Sequence, residues 1–126
     1  MRVLLNEYGM WDVIVRKVSD KSLQVFGTCA GAILCAGWGM GVEIDRNAYG
    51  AQQASFVGYL ESENFFHLQG VFIRAPRFMA ADVTCNVLAQ FKDQPVLVEQ
   101  SNFLAATFHP ELTDDTRIHE YFLAKE

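Results

Sequence analysis

At 126 residues the chain has room for one domain, 1–126, and its 51% hydrophobic and 20% charged content suits a packed globular core. Ten Lys and Arg against fifteen Asp and Glu leave a net charge of −5 with the basic residues scattered, which argues against nucleic acid and anionic membranes as partners. No apolar run is long enough to span a bilayer.

The chain begins "MRVLLNEYGMWDVIV", an apolar run broken by Asn6, Glu7 and Asp12, which is not the pattern of a secretion leader. Over residues 2–18, Leu4, Leu5, Tyr8, Trp11, Val15 and Val18 recur mostly three and four apart, one face of an amphipathic helix with an interruption at Gly9. "SDKS" (19–22) is a polar turn. Leu23, Val25 and Phe26 then read as a buried strand, and Ala30, Ala32, Ile33 and Leu34 as the first turns of a helix. Between them stands G-x-C-x-G: Gly27, Cys29, Gly31. A sharp strand-to-helix turn carrying a nucleophile is an elbow, and its tight backbone calls for small neighbours, a need that Gly27 and Gly31 meet.

"AGWGMG" (36–41) ends that helix. "VEIDRNAYG" (42–50) opens as a half-buried strand, with Asn47 and Gly50 suiting a turn, and "ASFVGYLE" (54–61) reads as another strand. "GVFIRAPRF" (70–78) reads as a strand ended by Pro76. Three more strands follow at about 83–91, 95–100 and 103–108, joined by "KDQ" and "SN". In the closing stretch Thr113 is the expected N-cap, Asp114 and Asp115 favour a helix start, and Ile118, Tyr121 and Phe122 face inward. This order predicts an α/β sandwich with a mixed sheet.

A nucleophilic cysteine needs a base. His109 of "TFHPEL" directly follows the last strand, Pro110 stiffens its turn, and Glu111 lies two residues on, placed to fix the imidazole tautomer. The helix N-terminus behind Cys29 is expected to lower its thiol pKa. Cys29, His109 and Glu111 thus make a nucleophile, an acid–base and an orienting carboxylate. Taken singly, each has a plainer reading, since a lone cysteine is usually a small core residue. Cys35 and Cys85 read that way, and His67 and His119 read as solvated. The three cysteines form neither a disulfide framework nor a metal signature, and an odd count without C-x-x-C fits a reducing compartment, the cytoplasm.

"GTCAG" with "FHPEL" resembles the class I, triad-type glutamine amidotransferases. "RNAYG" (46–50), "VFIRAPR" (71–77) and "FHPELTDDTRIHEYFL" (108–123) narrow the resemblance to the PdxT/SNO family, the glutaminase subunit of pyridoxal 5′-phosphate synthase. It implies a three-layer, flavodoxin-like α/β sandwich and hydrolysis of L-glutamine to glutamate and ammonia. It implies no cofactor or metal of its own, and a barrel-shaped synthase subunit that receives the ammonia for vitamin B6 synthesis. By motif it assigns Cys29, His109 and Glu111 to the triad, the Ala30 N–H to the oxyanion hole, and Arg46, Ile73 and Arg74 to glutamine binding. An arginine suits the substrate α-carboxylate; without the resemblance, Arg46, Arg74 and Arg77 would read as surface ion-pair residues.

The match to the family starts inside a helix that normally lies well within the chain. A strand–helix–strand of roughly fifty residues is missing ahead of it, together with a Gly-Gly-Glu-Ser loop that contributes to the oxyanion hole. Loss of one such donor costs about a hundred- to a thousand-fold in rate, and a sheet edge or apolar face is expected to be left uncovered. The segment between the elbow and "RNAYG" is also shorter than the family's. Two alternatives stay open: an impaired remnant that only docks on the synthase, and a cysteine hydrolase for another amide or ester.

Overall fold

The computed structural model describes residues 6–38, 40–45 and 55–125. Helix α1 (Met10–Ser19) starts after Gly9, whose φ of 70° is left-handed, so the interruption expected at Gly9 is the helix boundary. Trp11 and Val18 are buried on its inner face, but Tyr8 is exposed; Leu4 and Leu5 lie outside the described residues. Strand β1 (Val25–Thr28) then leads through Cys29 into α2 (Ala30–Gly37).

The remaining strands are β2 (Val42–Asp45), β3 (Ser55–Leu60), β4 (Leu68–Ile73), β5 (Arg77–Ala81), β6 (Asn86–Phe91), β7 (Gln94–Gln100) and β8 (Phe103–Ala106). The central sheet has the order β1-β8-β7-β6, with β1 parallel to β8 and the other pairs antiparallel. It is the expected mixed sheet. Two antiparallel pairs, β2–β5 and β3–β4, flank it. Lys92, Asp93 and Ser101 take left-handed φ values of 47°, 64° and 54° at the tight turns between β6, β7 and β8, where "KDQ" and "SN" stand.

Side chains alternate across a strand, so the central sheet has two apolar faces. One carries Leu104 and Ala106 against Phe72, Leu68 and Ile118. The other carries Val98 and Ala105 against Ala32, Cys35 and Phe78. Covered on both sides, the sheet is the middle of three layers.

Two sequence expectations change. The reading that Pro76 ends the strand run misses β5, which begins at the very next residue; Pro76 separates two strands whose chain turns at Arg74, φ 45°. The last helix, α3 (Arg117–Ala124), begins after Thr116 rather than Thr113. Thr113 instead closes a single 3-10 turn over Pro110–Leu112, its hydroxyl donating to the Pro110 carbonyl, and Asp115 accepts the Arg117 N–H at the helix start. Ile118, Tyr121 and Phe122 do face inward. The turn expected at Asn47 and Gly50 lies outside the described residues.

Candidate active site

The chain reverses at Cys29. Its φ of 52° and ψ of −108° are rarely adopted by a residue with a side chain, and such strain persists only where the surroundings enforce it. Here the Cys29 N–H is tied to the Ala106 carbonyl at 2.8 Å, and its carbonyl accepts the Ala32 N–H at 3.0 Å. One residue is thus both the end of the parallel ladder and the start of α2.

Gly27 permits this closeness. A Cβ there would strike the Gly31 carbonyl and lie 2.7 Å from Cys35 Sγ. Gly31 is different: a Cβ there would meet nothing within 4 Å among the described residues. The expectation that both glycines relieve crowding holds for Gly27 alone; Gly31 contributes backbone, and its side faces open space.

His109 follows β8 and is held by its own backbone, whose N–H donates to the Val71 carbonyl at 2.8 Å. Its Nδ1 lies 2.6 Å from Glu111 Oε2. That pairing places the proton on Nδ1 and leaves Nε2 as the basic nitrogen. Cys29 and His109 line one cleft of about 480 Å3, together with Ala30, Gly31, Trp11 and Trp38. The Cys29 thiol also reaches the Ile73 carbonyl at 3.7 Å, which brings the end of β4 to the nucleophile.

The thiol departs from expectation. Burial pushes the Cys29 pKa above the ordinary thiol value, the Ala30 N–H pulls it down, and the Glu111 carboxylate pushes it up again. The helix N-terminus does not win in the resting site, where the cysteine sits as the neutral thiol. Cys35 is fully buried and pushed up to about 11. Cys85, read as a core residue, is half-buried, with its sulfur 3.5 Å from both the Gly41 carbonyl and Gln100 Oε1. All three cysteines are free.

Ile73 and Arg74 are exposed at the rim formed by the end of β4, and Arg46 lies outside the described residues. His67 is exposed as expected, but His119 is half-buried edge-on against Phe26, ring centroids 5.5 Å apart. Sequence reasoning placed Trp11 on the apolar face of the first helix but did not bring it to Trp38 or to the site. The two tryptophan rings approach to 4.6 Å and wall the cleft, a relation between residues 27 positions apart that helix periodicity alone does not reveal. Among the described residues no group of three or more His, Cys, Asp or Glu could hold a metal ion, and no helix is long and apolar enough to cross a membrane.

Known proteins resemble this chain in sequence and in fold. The profile of the SNO glutamine amidotransferase family matches residues 1–126. A "pyridoxal 5′-phosphate synthase subunit PdxT" of Francisella tularensis subsp. novicida is 47% identical over 126 residues, covering 96% of this chain and 69% of the relative. A protein of the same name from Thermus thermophilus is 45% identical over 131 residues, with 95% and 69% covered. A crystal structure of a glutamine amidotransferase superposes with a TM-score of 0.88 at 45% identity, covering 95% of this chain and 69% of that one. A Thermotoga maritima glutamine amidotransferase, at 13% identity and a TM-score of 0.61 over 83% of this chain and 49% of its own, shares the fold. The chain, an α/β sandwich built on a mixed sheet, belongs to the SNO glutamine amidotransferase family.

Proposed function

We propose that the chain is the glutaminase subunit of a pyridoxal 5′-phosphate synthase. It hydrolyses L-glutamine and passes ammonia to a barrel-shaped synthase subunit. The observation that carries this reading is the strained elbow at Cys29, sharing a cleft with the His109–Glu111 pair. The relatives' names supply the pathway.

In this reading Arg46, Ile73 and Arg74 bind glutamine, with its carboxamide over Cys29. His109 Nε2 takes the thiol proton as Sγ attacks the amide carbon, which solves the problem of a thiol that rests neutral. The imidazolium is stabilised by Glu111. The Ala30 N–H, already directed at the sulfur, turns to the developing oxyanion. His109 then gives its proton to the leaving ammonia, a γ-glutamyl thioester remains on Cys29, and a water activated by the same imidazole releases glutamate. The three free cysteines suit a reducing cytoplasm.

The test is ammonia and glutamate release from L-glutamine, with and without a synthase subunit from a PdxT-containing organism. The reading expects release that rises with the synthase and vanishes in Cys29→Ala. Equal rates with and without the synthase would remove the subunit role.

A further inference from the structure

The β3–β4 ribbon has an apolar outer face. Side chains alternate along a strand, so Phe56, Leu60, Leu68 and Phe72 pack into the core while Val57, Tyr59, Val71 and Ile73 point outward. The register sets Val57 opposite Val71, Tyr59 opposite Gln69 and Ser55 opposite Ile73, which makes one continuous stripe. An antiparallel pair with one face in water ordinarily turns polar residues outward. Here Val57 is 62%, Tyr59 73% and Ile73 39% exposed. Both strands of the ribbon are paired along their whole length, and β3 ends on the side of the central sheet farthest from β1. There Glu61 and Gln90 of β6 exchange backbone hydrogen bonds, each of 2.8 Å.

The two ends of the stripe have different chemistry. At one end the Ile73 carbonyl lies 3.7 Å from Cys29 Sγ, so the stripe begins beside the nucleophile. At the other, four residues or about 14 Å along β3, Tyr59 lines a cavity of about 430 Å3 with Gln69, Asp114 and Asp115. Asp115 is engaged by Arg117 Nη2 at 2.7 Å. Asp114 is exposed and forms no ion pair among the described residues. An aromatic ring beside an uncompensated carboxylate suits a lysine or arginine side chain.

An exposed apolar stripe marks an interaction surface, and these two ends decide its occupant. Ammonia freed at Cys29 reaches a partner directly only if that partner covers the surface contiguous with the thiol. A second copy of the chain would meet the stripe but would bring two chains of net charge −5 together at Asp114. We infer that the outer face of β3–β4 docks the ammonia-accepting synthase subunit, which lays an apolar segment along Val57 and Tyr59 and seats a lysine or arginine against Asp114. The inference rests on the glutaminase-subunit reading above and adds to it the place of contact.

The test measures the affinity of the whole chain for a synthase subunit from a PdxT-containing organism by biolayer interferometry. Ammonia release from L-glutamine is followed beside it, without and with the synthase. Val57→Lys, Tyr59→Ala and Asp114→Lys, each checked by thermal melting, should weaken binding about tenfold or more and leave synthase-free release at the parent rate. Val83→Lys, at a fully exposed position between β5 and β6, should bind as the parent does. Parent-like binding by the three ribbon variants overturns the inference and leaves the subunit reading intact, whereas a parent chain with no affinity for the synthase removes both. Self-association of the parent in sedimentation, lost in Val57→Lys, gives the face to a second copy and also overturns the inference. A fall in synthase-free release in variants that melt like the parent does the same, since it places the face in the glutamine site.

Discussion

His109 Nδ1 and Glu111 Oε2 lie 2.6 Å apart, across a single 3-10 turn that begins at Pro110. The same carboxylate that orients the imidazole also raises the Cys29 thiol pKa. Its two influences act in opposite directions and can be separated. Glu111→Gln should lower glutamine kcat about a hundred- to ten-thousand-fold, because the tautomer and the imidazolium lose their partner. The midpoint of Cys29 alkylation against pH should nonetheless move down, because a negative charge has gone. An upward shift would show that Glu111 acts on the thiol mainly through a charged imidazole.

Cys35 gives a pH dependence of stability with a definite sign. Its folded-state pKa, pushed up to about 11 by burial, lies above its unfolded value, so its contribution is fully present below the unfolded pKa and is lost as pH rises. Between roughly pH 9 and pH 11 it should cost about 2–3 kcal/mol of unfolding free energy. Tyr121, pushed up to about 12 by burial and by its bond to Glu99, adds a loss of the same sign at higher pH. Denaturant melts across this range should show a flatter decline in Cys35→Ala than in the parent chain.

The two elbow glycines should part company. Gly27→Ala places a Cβ into the Gly31 carbonyl and against Cys35 Sγ, in a region that cannot yield without moving α2 off the sheet. It should cost at least about 3 kcal/mol or prevent folding. Gly31→Ala meets nothing within 4 Å and, in a helix, should be neutral or stabilising by less than about 1 kcal/mol. Thermal melts of the two variants decide this; equal losses would contradict it.

What the sequence made legible here was local. The elbow could be read because three residues, Gly27, Cys29 and Gly31, sit between a β-prone and an α-prone run. The His109–Glu111 pair could be read because its partners are two positions apart. The missed features depend on distant chain. β5 follows Pro76 without a gap, so nothing in "RFMAA" separates it from a strand tail; its pairing with β2 makes it a strand. His119 looked solvated because the strand that brings Phe26 to it lies some ninety residues earlier. The thiol pKa was misjudged because burial comes from packing, while the helix N-terminus is visible in the sequence.

Glu99 anchors the last helix to the sheet. Its carboxylate accepts from Tyr121 at 2.6 Å, Lys125 at 2.8 Å and Asn86 at 3.2 Å. Burial works to raise its pKa, but the bonds from Lys125, Tyr121 and Asn86 prevail and hold it below the ordinary value. A depressed folded-state pKa means stability present above the unfolded pKa and lost as pH falls through the folded one. Glu99→Gln should cost about 1–3 kcal/mol at neutral pH and flatten the acid limb of the stability curve. An unchanged acid limb would assign that limb to other carboxylates.

The central claim is that Cys29 is the nucleophile toward glutamine, and a covalent intermediate tests it most directly. The chain is mixed with L-glutamine and its synthase partner, quenched in acid within the first turnovers, digested and mapped by mass spectrometry. The account predicts a γ-glutamyl thioester on the peptide containing Cys29, absent from Cys29→Ala. A γ-glutamyl adduct on Cys35 or Cys85, or undiminished glutamine turnover by Cys29→Ala, would contradict it.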